Sequence, residues 1–314
     1  MLASAVEEMV DVAERPGDLE PSWEIQRGGE IDPTLVVIGT LGGGSRYEVL
    51  RAWDRTLFCE VAVKVIRPNR VADDRALEGF DREVAITQRL VHPNLVRLLR
   101  WSAVPPRPYI VLEYITAQTL ADHLADIGPV SVPEICLLGV RLCSALHHLH
   151  QHNVLHLDVK PDNLTLGDPP RLLDLGLARS AAGPLKLRSS LGTPAYMPRE
   201  QCSHGYATPQ SDLFSLGATL YEGVSGMQPF SEGDSDSKVR EERYPQLVEE
   251  AEPLHEVAEV PHALSQIVMS CLQHDPRRRP RSAADLAIAL HSVLEDMKIE
   301  ELYAWPKGLR VQRR

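Results

Sequence analysis

Hydrophobic positions along this chain first alternate and later recur at helical spacing. From about residue 34, "TLVVIGTLGGG" is an apolar run ending in glycines, while "YEVLRAWD" and "EVAVKVIR" alternate, the second around Lys64. This period-two patterning predicts three strands. Leu77, Phe80, Val84 and Val91 then recur at helical spacing before Pro93, which predicts a helix over about 73–91 with Glu83 beside its stripe. Two more strands are expected near 95–101 and 109–114, and "TAQ" at 116–118 reads as a connector. Beyond residue 119 the spacing turns helical. Ile135, Leu138, Leu142, Leu146 and Leu149 form one long apolar face, and further helices are predicted at about 211–224, 262–273 and 282–297. Short strand-like pieces, "LTLG" and "RLLDLG", flank the turn "DPP". Strands with one helix followed by a run of helices predict an α+β chain of two lobes, the first small and β-rich and the second mostly helical. A length of 314 residues allows each lobe a core of its own.

Composition narrows the classes of partner. The net charge of −11 argues against general nucleic-acid binding. Much of that charge is early: residues 1–32 carry nine acids and two bases, a difference of −7, and 1–33 reads as an acidic, flexible extension. The end, "KGLRVQRR", is a short basic tail within 293–314. The apolar runs are too short for a membrane span, and no basic-then-apolar leader opens the chain, so a cytoplasmic protein is expected. Five scattered cysteines without a CxxC pair fit reduced thiols better than disulfides or a zinc site. In "LHHLHQHNVLH", His148 and His152 stand four apart and could clasp a metal. No acidic or thiol ligand accompanies them at a suitable spacing, so exposed and capping roles are expected.

The glycines of "LGGGSRYEVLRA" are followed by a strand. Dinucleotide folds and P-loops need a helix there, so those readings weaken, although a plain hairpin would also carry such glycines. Further on, "VLHLDVKPDN" sets Asp158, Lys160 and Asn163 at spacings 0, +2 and +5, and "LLDLGLAR" adds Asp174.

Taken in order, these stretches resemble the protein kinases, specifically the bacterial eukaryotic-like Ser/Thr kinases, over about 34–292, with lobes at about 34–115 and 116–292. The resemblance implies ATP and Mg²⁺ (or Mn²⁺) as cofactors and protein Ser/Thr hydroxyls as acceptors. Within it, Leu41, Gly42, Gly43, Gly44, Val49, Ala62, Leu112, Glu113 and Ile115 would contact the nucleotide, and Lys64 with Glu83 would grip its phosphates. Asp158 would accept the substrate proton, Lys160 would neutralise the γ-phosphate, and Asn163 and Asp174 would hold the metal. His156 would tie the loop down, Asp212 would brace it, and Glu200 would pair with Arg279. Thr193 would lie on the substrate-side loop, and Ser189 and Ser190 are candidate autophosphorylation sites.

Three positions depart from the family pattern. Tyr47 replaces the third glycine and is expected to point to solvent. Leu157 replaces the arginine before the catalytic aspartate, which implies that phosphorylation of the following segment is not the main switch. Arg199 replaces a proline near the acceptor site. These departures keep a pseudokinase scaffold as an alternative to a protein kinase. A small-molecule phosphotransferase is a third reading, opposed by "GTPAYMPRE" followed by "SDLFSLG", which suits a peptide acceptor.

Overall fold

Alternation in the "CEVAVKVI" strand decides the architecture of the first part of the chain. In the computed structural model, which describes residues 21–187, 191–203 and 205–298, this strand is the centre of a six-stranded antiparallel sheet. The strands are β1 (Glu30–Asp32), β2 (Leu35–Gly43), β3 (Tyr47–Asp54), β4 (Cys59–Ile66), β5 (Leu98–Ser102) and β6 (Tyr109–Glu113), in the order β1-β2-β3-β4-β6-β5. Successive side chains of a strand point to opposite faces. One face therefore collects Val61, Val63 and Val65 with Leu35, Val37, Leu50, Ala52 and Val111 in a buried cluster. The register pairs Val49 with Lys64 and Ala62 with Leu112, so the other face collects Val49, Ala62, Lys64 and Leu112.

Two sequence expectations change here. Residues 21–33 are not a loose extension: β1 pairs with β2, and Trp23 and Ile25 pack on the sheet's buried cluster. Their acidic neighbours masked an apolar alternation at Trp23, Ile25 and Ile31. Residues 1–20 and 299–314, most of the predicted acidic arm and tail, lie outside the described residues. The predicted helix is α1 (Asp74–Arg89), and Val91 falls beyond its end, 69% exposed, so it is not part of the stripe.

Contacts divide the chain into two compact units, the first ending at Gly79 and including Leu99–Tyr114, the second formed by Phe80–Leu98 and everything from Ile115. The boundary thus falls within α1, because Ile86, Leu90 and Leu95 belong to the helical core.

That core is built by helices α2 (Leu120–Asp126), α3 (Val132–Gln151), α4 (Arg199–Cys202), α5 (Pro209–Ser225), α6 (Arg240–Arg243), α7 (Leu254–Val257), α8 (His262–Cys271) and α9 (Ala283–Asp296). Ser131 and Glu134 form a capping box at the start of α3, which satisfies backbone N–H groups that no helical carbonyl can reach. Helix α5 is buried on all sides from Ser211 to Tyr221 and stops at Gly226, whose left-handed backbone (φ +74°) suits glycine. A Cβ on Gly217 would lie 2.4 Å from the Cβ of Cys271, so α5 and α8 approach closely only because that position is glycine. Two-residue strands β7 (Val154–Leu155) and β8 (Arg179–Ser180) pair with each other, as do β9 (Leu185–Lys186) and β10 (Tyr206–Ala207). Between β7 and β8 run the loops that carry Asp158, Asn163 and Asp174.

Candidate active site

The first unit supplies a lysine on a strand. Lys64 is 5% exposed on β4, and its ammonium lies 4.8 Å from the centroid of the Tyr47 ring. Tyr47 is itself only 6% exposed, so the expectation that it points to solvent is overturned. It begins β3 opposite Ile66, on the same sheet face as Lys64, and its ring offers the ammonium a cation–π contact. The neighbouring glycines make the turn. Gly42 (φ +119°) pairs with Val49, and a Cβ on Gly43 would lie 2.5 Å from the Tyr47 carbonyl oxygen. Gly44 N–H donates to that same carbonyl at 2.9 Å and closes the turn. Leu41 is exposed just before it, and Glu113 ends β6.

In the second unit the loop after β7 is drawn taut by one carboxylate. Asp212, near the start of α5, is fully buried and accepts hydrogen bonds from His156 N–H (2.9 Å), Leu157 N–H (2.8 Å) and His150 Nε2 (2.8 Å). Burial alone would push its carboxyl up. The hydrogen bond from His150, the nearby imidazoles and the Leu157 N–H outweigh that and hold it below the ordinary carboxylate range. His156 extends the brace: its Nδ1 accepts from Asp158 N–H (3.3 Å), so its Nε2 is the donor to the Leu173 carbonyl (3.2 Å). His150 was missed, since one histidine among five carries no positional signal in the sequence.

With its backbone fixed, Asp158 is dressed on both oxygens. Oδ1 accepts from Thr193 N–H (2.9 Å) and Thr193 Oγ1 (2.8 Å). Oδ2 accepts from Asn163 Nδ2 at 3.1 Å and lies 3.9 Å from the Lys160 ammonium. Asn163 Nδ2 also donates to the Asp158 carbonyl at 2.8 Å, so the amide oxygen is the Asn163 atom that could ligate a cation. Asp174 adopts a left-handed backbone (φ +54°), uncommon outside glycine, and its Oδ1 accepts from Gly176 N–H at 2.8 Å. A Cβ on Gly176 would sit 2.9 Å from Asp174 Oδ1 and 3.2 Å from Glu83 Oε2. The buried Glu83 carboxylate of α1 therefore reaches the backbone beside Asp174.

Asn163 and Asp174 fit a magnesium ion by donor type, an amide oxygen and a carboxylate. Among the described residues no group of three or more His, Cys, Asp or Glu side chains could hold a metal alone. Two protein oxygens suit a cation that keeps waters and takes phosphate oxygens as well. In the histidine pair, His152 Nδ1 donates to the His148 carbonyl at 2.8 Å.

The stretch from Pro194 to Glu200 is held from below. Glu200 and Arg279 form a two-bond ion pair (2.6 and 2.9 Å), with the guanidinium also 4.9 Å from the Phe214 ring. Gln246, buried, donates to the carbonyls of Pro194 (2.6 Å) and Met197 (2.9 Å), a role no motif foretold. Arg199 donates through Nε to the Gln246 carbonyl at 2.8 Å. Leu157 is 1% exposed and packs with Leu155, Leu187 and Ala207. Ser189 and Ser190 lie outside the described residues. Ile115 opens the second unit's later portion.

A sheet carrying a buried lysine and a helical unit carrying an Asp–Lys–Asn loop are together the marks of a phosphotransferase class, and comparison with known proteins gives the family. Residues 35–290 match the protein kinase domain, and the chain belongs to the protein kinase family. It is 35% identical over 260 residues to the DNA damage-responsive serine/threonine-protein kinase RqkA of Deinococcus radiodurans, covering 80% of this chain and 38% of that protein. Serine/threonine-protein kinase PknB of Mycolicibacterium smegmatis is 32% identical over 270 residues (81% and 42%), and PrkC of Bacillus subtilis 27% over 278 residues (87% and 42%). The chain spans about two-fifths of the length of these curated relatives.

Proposed function

We propose that this chain is an ATP-dependent protein kinase that phosphorylates Ser and Thr side chains of proteins. The observation that carries this reading is the state of Asp158. Its backbone is braced by Asp212 through the two residues before it, and its carboxylate is aimed by Asn163 and Thr193. A carboxylate so placed takes the proton of an acceptor hydroxyl as the oxygen attacks the γ-phosphorus and the bond to the β–γ bridging oxygen breaks, releasing ADP. Lys160 neutralises the charge that builds on the transferred group, and Lys64 holds the α- and β-phosphates. Asn163 and Asp174 are the residues that would hold Mg²⁺, which supplies Lewis-acid neutralisation of the phosphate oxygens. Positioning and electrostatics carry the rate, because phosphoryl transfer asks little covalent work of the protein.

The departures from the family pattern support transfer over a scaffold role. Tyr47 contacts the Lys64 ammonium, Leu157 is an apolar packing residue, and Arg199 bonds to Gln246; none displaces Asp158, Asn163 or Asp174. The four buried free cysteines fit a reducing, cytoplasmic setting, and no helix among the described residues is long and apolar enough to cross a membrane.

Labelled ATP with Mg²⁺ and a generic protein acceptor tests the reading. Asp158→Asn is expected to lower kcat by about 10²–10⁴-fold while nucleotide affinity stays within about twofold. Equal labelling by the variant and the parent would exclude Asp158 as the catalytic base, and Mg-dependent ATP binding with no transfer by the parent would favour the scaffold.

A further inference from the structure

The segment that enters the first unit, Pro21 to Ile25, ends on groups that hold the glycine turn. Trp23 Nε1 donates to the Ile66 carbonyl at 2.7 Å, and the Arg107 guanidinium lies 5.2 Å from the Trp23 ring. Both oxygens of the buried Glu48 carboxylate are taken by this segment: Ser22 Oγ donates to one at 2.6 Å and Trp23 N–H to the other at 3.1 Å. Ser22 Oγ also accepts from Glu24 N–H at 3.0 Å, which fixes the segment's own turn. Glu48 stands directly across from Gly43 in the sheet register.

Arg67 makes the second link. Its guanidinium donates to the Pro21 carbonyl at 3.3 Å and, through Nε, to the Gly44 carbonyl at 2.7 Å. Its N–H donates to the Arg46 carbonyl at 3.0 Å, and Arg70 Nε donates to the Ser45 carbonyl at 3.2 Å. All three carbonyls of the turn 44–46 are thereby bonded to the stretch that follows β4. The turn is gripped by two arginines, and one of them is tied to the entering segment.

We propose that residues 21–25 are a positioning strap for the glycine turn, setting its rigidity and, through it, the affinity for the ATP phosphates. The physical reason is order. A glycine turn free to move loses conformational entropy when it closes on a phosphate, and a turn already held by Arg67 and Arg70 loses less. Without the strap, Glu48 keeps its burial but loses two donors, and Arg67 loses an acceptor. Both then seek new partners next to the turn. The affinity part of this inference rests on the kinase reading; the mechanical part does not.

The full chain carrying Ser22→Ala with Trp23→Leu separates these parts, with Ser22→Ala alone as the milder variant. Amide hydrogen exchange is expected to quicken by about tenfold in residues 42–47, while β4 and β6 change by less than about twofold. KM for ATP is expected to rise about three- to tenfold, with kcat and KM for the protein acceptor near the parent's values. Ser22→Ala alone should move the same quantities in the same direction by a smaller factor. Unchanged exchange at 42–47 in both variants would overturn the strap, as would a uniform increase across the sheet, which is what a merely structural segment gives. Should the parent show no Mg-dependent ATP affinity, the kinase reading falls, while the exchange result still decides whether the strap holds the turn.

Discussion

Leu157 occupies the place where the family pattern has an arginine, and its surroundings explain what it does there. The side chain is sealed among Leu155, Leu187 and Ala207, with Leu185 and Leu191 packed against them. These come from the loop's own strand and from both sides of residues 188–190. Apolar burial therefore joins the loop carrying Asp158 to Leu185, Leu187 and Leu191, a job that an arginine would do through a phosphate. The backbone at Leu157 is left-handed (φ +68°), and the packing together with the Asp212 bond holds it there against a cost of about 1–2 kcal/mol. Leu157→Ala is expected to destabilise the second unit by about 2–5 kcal/mol in urea unfolding. Replacing both Ser189 and Ser190 with Ala is expected to leave kcat within about threefold of the parent, because no phosphate is needed to seat the segment. A much larger loss in a folded variant would show that phosphorylation does the seating. The side chains proposed to react could be picked out of the sequence because phosphate chemistry fixes both their type and their spacing. Tyr47 was not. Its burial depends on the register of β3 against β4, which places it opposite Ile66 and beside Lys64, and register is a pairing property that one strand's pattern does not contain.

Helix α5 braces the loop that carries Asp158. Its first turn delivers Asp212 to two consecutive N–H groups of the loop, and its buried flanks prevent the helix from sliding to relieve any mismatch. Asp212→Ala leaves those two donors unpartnered in a dry site, at about 1–3 kcal/mol each, and frees the backbone that aims Asp158. Urea unfolding should show the stability loss. Transfer assays should show a fall in kcat larger than any change in nucleotide affinity, since the variant disturbs Asp158, the proposed base, and leaves Lys64 untouched. A variant with parental kcat would mean that Thr193 and Asn163 suffice to aim Asp158. Long helices such as α3, α5 and α9 could be read in advance, because each carries apolar residues over several turns. The paired two-residue strands β7 to β10 are too short to carry a period. The strap at residues 21–25 was hidden for a different reason: its order comes from Glu48 and Arg67, far along the chain, and not from its own composition.

The two units store different responses to acid, and the distribution of tryptophans lets each be followed separately. In the first unit Asp54 is held down to about 2: burial opposes this, but hydrogen bonds from Thr56 and Arg100 and the Thr56 and Leu57 N–H groups outweigh it. Asp32 is likewise lowered: burial again opposes, and the hydrogen bonds of Tyr109 and Thr34 and the charge of Arg100 prevail. A carboxyl whose folded value lies below its unfolded one stabilises above the unfolded value, near 3.8, and loses that contribution as pH falls toward about 2. The second unit responds earlier. His92 and His148, stacked 5.2 Å apart, are both pushed below the ordinary 6.5, first by burial and then by neighbouring cations and imidazoles: Arg171 and His148 for the one, His152 and His147 for the other. Below 6.5 the unfolded chain binds protons that the folded stack resists, so stability falls as pH drops through that window. Trp23, Trp53 and Trp101 all belong to the first unit, and Trp305 lies outside the described residues. In a Trp305→Phe background, tryptophan emission therefore reports the sheet, while far-ultraviolet circular dichroism reports mainly the helices. At a fixed moderate urea concentration, ellipticity is expected to fall as the pH is lowered below about 6.5, and emission to hold until about pH 4. His92→Gln with His148→Gln should reduce the early fall, leaving the part that belongs to His274, which burial and the charge of Arg199 also push below 6.5, and should leave the late one unchanged. Should both signals drop together near pH 4 in the parent, the imidazole stack would carry none of the acid response, and the carboxylates alone would set it.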